Sequence, residues 1–399
     1  MRTPVVLVAG QGHSDRVVDT LIQTPGTLTV AHDYDGQVVR RQISIIDRGT
    51  LSTSELPLEL SNGCVSCTTR NDLLILLRRL HRRDDVQRII VQLAPWLEPE
   101  PICVAINEVD VHVGPGYLDG PAARDVRIDA VVTSIDTDTW LPRALGDEQL
   151  NDGRTVAQVI VGQAEFADLL VLNDPEATTL AVLRRLAPLA RITVGVNRVE
   201  QALSHLEPNT RRGLRRDPHE PLLSGQPPLN PTGDVALVEF TARRPFHPQR
   251  LHAAIDVLLD GVVRTRGRAF VAHRPDDVMS IESAGGGVLI ENAGTWLAAM
   301  GPVELAATTP ERRALAAMSW DEHLGDRHTS LAVLVCGAQP ADIDGALRGA
   351  LLTDDELSRP GDWPHYPDPF GEWHADPCQD LHNDVDTTTS RPNHREDES

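Results

Sequence analysis

The apolar positions of this chain fall into short blocks divided by polar turns, and their spacing switches between two periods. Residues 5–8 form an unbroken apolar run, as a parallel strand buried on both faces would. Residues 27–32 and 38–46 read as strands joined by a turn at 33–36, and 89–92, 130–135, 169–172 and 191–196 as further strands. Between them the period lengthens to that of a helix. Val17, Val18, Leu21 and Ile22 share one face, and Leu73, Leu74, Leu77 and Leu80 share another over residues 72–83. Residues 101–107, 156–165 and 180–186 also read as helices. Alternating short strands and helices predict a doubly wound α/β domain over residues 1–206.

The pattern then stops. Residues 207–233 carry six prolines and no hydrophobic period, predicting an interdomain linker. Over residues 234–358, strands at 235–242, 262–273, 277–282, 288–291 and 331–336 outnumber helices at 247–259 and around Ile343, Leu347 and Leu351. Gly285-Gly286-Gly287 marks a hairpin, so a second, smaller α+β domain of mostly antiparallel strands is expected. Residues 109–124, rich in Gly, Pro and Asp, predict a surface insertion, and residues 359–399 a disordered tail.

Composition narrows the function. A formal charge of −21 argues against binding bare nucleic acid over the whole surface, and DNA is not an expected partner. No stretch approaches about 18 apolar residues, and the chain opens on a strand, so a cytoplasmic protein without a membrane partner is expected. All 37 basic residues are arginine; there is no lysine.

That absence matters at the first turn. The 5–8 strand, Gly10, Gly12 and the helix beginning near Ser14 have the shape of a phosphate-binding loop, where backbone N–H groups converge at a positive helix end. A working loop ends in Gly-Lys-Ser/Thr, its lysine reaching the outer phosphates and its hydroxyl holding Mg²⁺. Here Gly12-His13-Ser14-Asp15 supplies a carboxylate instead.

The order of motifs resembles the CobW-type family of metal-linked P-loop GTPases, over nearly the whole chain. Gly63-Cys64-Val65-Ser66-Cys67-Thr68 matches that family's Gly-Cys-x-Cys-Cys-Thr metal motif, with Ser66 for the middle cysteine. Residues 92–99, Gln-Leu-Ala-Pro-Trp-Leu-Glu-Pro, stand where the family has Glu-Thr-Ser-Gly-Leu-Ala-Asp-Pro. The guanine-reading Asn-Lys-x-Asp is here Asn173-Asp174-Pro175-Glu176. Arg243-Arg244-Pro245-Phe246-His247-Pro248 and Gly325-Asp326-Arg327 resemble the family's C-terminal signature. The resemblance implies a P-loop-NTPase-like doubly wound sheet with a CobW C-terminal-type domain. Three nucleotide-handling elements are altered together, which is similar to a degenerate actinobacterial branch. That branch implies a non-catalytic, zinc-responsive factor that recruits a hibernation-promoting factor to the small ribosomal subunit and is under protease control. The alternative is a metallochaperone with weak GTP binding or hydrolysis.

The candidate residues follow. Gly10, Gly12, Ser14 and Asn173 are the remnant nucleotide site. Cys64 and Cys67 are the candidate zinc ligands: a Cys-x-x-Cys turn brings two thiolates onto one metal, but Zn²⁺ wants four ligands, so others must come from elsewhere. A redox pair and two thiols without a role are the competing readings. With the middle ligand gone, weak zinc binding suits a sensor better than a store. His374, Cys378 and His382 share a spacing of four but are interrupted by Pro377, while Cys103 and Cys336 lie in apolar runs and read as core. Arg78, Arg79, His81, Arg82 and Arg83, and Arg211, Arg212, Arg215 and Arg216, are basic clusters read as solvated faces, with ribosomal RNA phosphates as the competing reading.

Losing one member of a desolvated charge pair costs about 2–5 kcal/mol, roughly 30-fold to several-thousand-fold in affinity or rate. Titration with a fluorescent GTP analogue and Mg²⁺ is therefore expected to show neither tight binding nor turnover.

Overall fold

The computed structural model describes residues 2–371, apart from 62, 216–222 and 224. The first domain runs β1 (Thr3–Gly10), α1 (Ser14–Leu21), β2 (Thr27–Tyr34), β3 (Val39–Asp47), β4 (Thr50–Leu58), α2 (Val65–Leu80), β5 (Arg88–Gln92), α3 (Pro99–Glu108), β6 (Asp110–Val111), β7 (Gly120–Pro121), β8 (Val126–Ile135), α4 (Trp140–Ala144), α5 (Val156–Glu165), β9 (Leu169–Leu172), α6 (Ala177–Leu186), β10 (Arg191–Val194) and α7 (Val199–Leu203). Its eight-stranded sheet has the order β10-β9-β8-β1-β5-β2-β3-β4. Pairing is parallel from β10 to β2 and antiparallel through β3 and β4.

β1 sits at the centre because it is apolar on both faces. Val5, Leu7 and Ala9 enter the core under α2 and α3, while Val6 and Val8 enter the opposite core with Val17, Val18 and Leu21 of α1. The second domain is β11 (Val235–Ala242), α8 (Pro248–Ala254), β12 (Val262–Ala269), β13 (Asp277–Ala284), β14 (Gly287–Thr295), α9 (Pro302–Ala307), α10 (Pro310–Met318), β15 (Thr329–Cys336), α11 (Pro340–Ala350) and α12 (Asp354–Leu357). Its antiparallel sheet has the order β11-β15-β12-β13-β14.

The two domains share a core. Ile135, Trp140, Val156, Ile160 and Leu172 of the first pack with Val235, Val263, Ala284 and Leu334 of the second. At its edge Glu165, the last residue of α5, pairs with Arg264 Nε at 2.9 Å and with Arg266, both from β12. The glycine hairpin docks there too. Gly286 N donates to Gly146 O at 3.0 Å, and a Cβ on Gly285 would stand 2.3 Å from that oxygen. The glycines therefore serve a close backbone approach as well as a turn.

Several expectations need correction. β4 was not expected as a strand over its length: all but its last residue are exposed, so no burial imposes a period. α2 begins at Val65 rather than 72 and stops at Leu80, because its first turn is built from polar side chains. The 262–273 strand ends at Ala269, and the 247–259 helix divides into α8 and a 3₁₀ turn. α9 and α10 bury no residue and so gave no pattern to read. The linker is no loose tether over 207–215: Arg212 N donates to Asp168 Oδ1 at 2.9 Å, and Arg211 lies 4.7 Å over the Phe166 ring.

The expected tail also starts too early. Residues 360–365 form a 3₁₀ turn with Trp363 buried, its Nε1 donating to Glu356 O at 2.9 Å. Tyr366 stacks on His247 at 4.7 Å, and Phe370 lies 6.2 Å from His273. Asp368 Oδ1 stands 3.2 Å from His273 Nε2, within ion-pair distance but off the direction of a hydrogen bond. His374, Cys378 and His382 lie outside the described residues.

This strap has a pH signature. Burial, helped by the neighbouring Arg250 for His247 and Arg274 for His273, holds both histidines below their ordinary value. The bidentate bond from Arg250 brings the Glu356 carboxyl to about 2. Both shifts are depressions. The histidine contribution is complete above about pH 6.5 and lost as pH falls through the lowered values, whereas that of Glu356 is lost only as pH falls below its ordinary carboxylate range. Trp363 emission, isolated by subtracting a Trp363→Phe variant, is expected to shift red on acidification from pH 7 to 5, and further below pH 4.

Candidate functional site

The C-terminal ends of β1, β5 and β8 meet where the loop of residues 10–14 turns into α1. Gly10 has φ 116°, and a Cβ there would lie 2.1 Å from Ser134 O, so strand packing alone demands glycine. Gly12 has φ 97° and faces the Asp136 side chain, whose carbon a Cβ would meet at 3.2 Å. Ser14 is buried at the first position of α1. Gln92 Nε2 donates to Asp15 Oδ1. Gln11 spans the mouth, donating to Pro95 O at 2.7 Å and accepting from Arg143 at 3.3 Å. Asn173 is engaged as well: its Oδ1 accepts from Thr137 N at 2.9 Å and Thr137 Oγ1 at 2.6 Å. Gly10, Gly12, Ser14 and Asn173 therefore belong to one end of one sheet. Asp15 and Asp136 stand at this end beside a bridging glutamine, and the chain has no lysine to face a triphosphate there.

The loop at 94–99 is fastened. Gln163 Nε2, from inside α5, donates to Pro95 O at 2.9 Å and Leu97 O at 2.8 Å. Arg154 donates to Trp96 O at 3.0 Å and to Glu98 at 2.7 Å, and pairs with Asp152 at 2.7 Å. Burial pushes the Glu98 carboxyl above its ordinary value despite Arg154. Sequence reading missed Gln163 and Arg154; a buried-face glutamine within the apolar run of α5 was the one signal available.

The cysteine pair opens α2. Gly63, at φ 73°, turns the chain so that Cys64 becomes the N-cap, and its Sγ accepts from Cys67 N at 3.2 Å. The Thr68 hydroxyl locks the turn, donating to Cys64 O and accepting from Ser61 N, each at 2.8 Å. Cys64 is half-buried and Cys67 buried, while Ser66 faces solvent. The helix dipole favours negative charge at these sulfurs. Among the described residues no third His, Cys, Asp or Glu joins them into a metal-binding group. Two sulfurs fit zinc as an open, incompletely ligated site and not as a closed tetrahedron. Cys103 is fully buried, with its thiol pushed up chiefly by burial, as a core residue should be; Cys336 is only half-buried.

The arginines of α2 are not a free basic face. Arg78 is 2 % exposed, paired with Asp125 at 2.8 Å and donating to Leu118 O and Gly120 O of the insertion. Arg82 lies 3.6 Å over the Tyr117 ring, Arg79 reaches Val113 O and Arg83 pairs with Asp85. The 109–124 insertion covers Arg78 and bonds Arg79 and Arg82, which stay exposed along with Arg83. In the linker, Arg212 lies 3.6 Å from Asp129 and Arg215 3.8 Å from Glu100, while Arg216 lies outside the described residues.

Comparison with known proteins agrees with this arrangement. Residues 26–193 match the CobW/HypB/UreG nucleotide-binding domain, and residues 235–351 the cobalamin synthesis protein cobW C-terminal domain. A zinc chaperone of Mycobacterium tuberculosis is 62 % identical over 381 residues, 96 % of each chain. The chain belongs to the CobW family. Within it, the zinc-regulated GTPase metalloprotein activator 1 of Dictyostelium discoideum is 26 % identical, covering 78 % of this chain and 69 % of that one. The Zn(II)-bound YjiA GTPase of E. coli, a solved structure, is similar at 14 % identity with a TM-score of 0.38, covering 88 % of this chain and all of that one. The match to the nucleotide-binding model begins at residue 26, beyond the glycine loop. No helix among the described residues is long and apolar enough to cross a membrane.

Replacing Gln163 by leucine takes the donor from Leu97 O and leaves Pro95 O with Gln11 alone, at about 1–3 kcal/mol for the orphaned carbonyl. Urea unfolding of the Gln163→Leu variant is expected to lose about 1–3 kcal/mol, with faster amide exchange confined to residues 94–99.

Proposed function

We propose that this CobW-type protein is a zinc-responsive binding factor without GTPase catalysis, in which Cys64 and Cys67 report zinc status. The observation that carries this reading is the glycine loop, which keeps its backbone shape while Gln11, Asp15, Gln92 and Asp136 occupy its mouth and no lysine exists to enter it. Two further features support it: the pinned 94–99 loop, and the Asn173 amide already spent on Thr137. The cysteine pair, two thiols on one helical turn, suits reversible zinc capture, with further ligands completing the shell.

The output of such a factor is a binding event. We propose the small ribosomal subunit and a hibernation-promoting factor as partners, on the likeness to the actinobacterial branch with the same altered motifs. A second reading is a zinc chaperone that hands on its metal, favoured by the 62 % identity to the zinc chaperone of Mycobacterium tuberculosis. Nucleotide turnover would separate the two, since a working GTPase requires some group to replace the missing cation.

Two measurements test the proposal. Competition for zinc against a chromophoric chelator should show binding by the native protein and none by the Cys64→Ser/Cys67→Ser double variant; equal behaviour of the two rejects the zinc role. Co-sedimentation with purified small subunits and a hibernation-promoting factor should change with added zinc or chelator, and a protein that stays in the supernatant under every condition rejects the ribosomal role.

A further inference from the structure

A cavity of about 40 Å³ lies on the seam between the domains, bordered by Arg185 of α6, Glu165 of α5, Leu237 of β11, Arg264 and Arg266 of β12, and Ala332 of β15. Its one carboxylate is already committed. Glu165 pairs with both Arg264 and Arg266, and Arg264 also pairs with Glu282 at 2.6 Å. Arg185 is different. It is 5 % exposed and, among the described residues, forms no ion pair; its terminal nitrogens donate to Ala181 O at 2.8 Å, Asn230 O at 2.6 Å and Thr232 Oγ1 at 2.9 Å. Its Nε, also buried, has no acceptor.

Of the three guanidiniums lining this place, Arg264 and Arg266 share Glu165 and Glu282, and among the described residues Arg185 alone has no carboxylate partner. A buried cation without a counter-charge is costly, and an anion entering beside it would remove that cost. There is room for one: at about 10–15 Å³ per water, the cavity holds roughly three waters, or one tetrahedral oxyanion. Leu186, Pro188 and Leu334 supply apolar walls that keep the local dielectric low and the attraction strong. With both Nη2 hydrogens and one of Nη1 already donated, Arg185 offers an anion its Nε–H and the remaining Nη1–H.

We propose that this cavity is a binding site for an oxyanion of the phosphate class, held by Arg185 with Arg266 beside it and separate from the glycine loop. The anion would touch α6 of one domain and β12 of the other, so its occupancy would tie the domains together. Free phosphate and the phosphate group of a larger molecule share this chemistry, and two probes distinguish them.

The test uses the full chain at constant ionic strength, with thermal unfolding followed in chloride, in inorganic phosphate and in a nucleoside monophosphate. Phosphate is expected to raise the melting temperature saturably. A larger rise with the monophosphate assigns the site to phosphate esters, and a smaller one to the free ion. Arg185→Met should weaken the apparent phosphate affinity by at least about tenfold. Because that change also removes hydrogen bonds of the fold, Ala332→Leu, which fills the cavity and leaves every charge in place, should abolish the rise independently. No rise in the native protein, an undiminished phosphate affinity in Arg185→Met, or a rise that survives in Ala332→Leu, overturns the proposal.

Discussion

The arrangement of the two domains depends on one carboxylate. Glu165 ends a helix of the first domain and is 10 % exposed at its side chain, and its two partners come from a strand of the second. Burial would raise its pKa, but Arg264 and Arg266 outweigh that and hold the carboxyl well below the usual range. Such a cluster adds little net stability, because the desolvation of each ion offsets most of the attraction. What it does is fix position. Only one placement of β12 against α5 gives both arginines their partner, and the shared apolar core then provides the favourable burial.

The nucleotide end of the first sheet is arranged consistently with that rigidity. In a working GTPase the loops around the phosphates order and release with the ligand. Here the equivalent loop is bonded from inside by Gln163 and from outside by Arg154, and Gln11 ties it to the glycine turn. The charge changes at Asp15 and Asp174 and this immobility point the same way.

How much of this was legible depended on burial. The central strands were readable because Val5 to Val8 and Leu169 to Leu172 are apolar on both faces, and family membership followed from motifs that survive in order. β4, α9 and α10 were not, since elements that bury little carry no periodic signature. The helical start at Val65 was hidden by a capping turn whose hydrogen bonds come from Cys64 and Thr68. Arg78 looked like a solvated residue because its partner, Asp125, lies far along the chain in an insertion whose fold no local pattern describes. The candidate ligands Cys64 and Cys67 were visible as a pair, but their number of co-ligands is a three-dimensional property.

The glycine hairpin between β13 and β14 has a mechanical consequence. Without side chains at residues 285–287, two backbones meet directly, and the Gly286–Gly146 bond breaks if they separate by an ångström or so. A partner gripping the exposed Val288 and Leu289 would thus pull on the segment next to α4. That short helix carries Arg143, whose guanidinium touches Gln11 in the glycine turn. The hairpin thus joins the second sheet to the glycine turn of the first through two hydrogen bonds and one short helix.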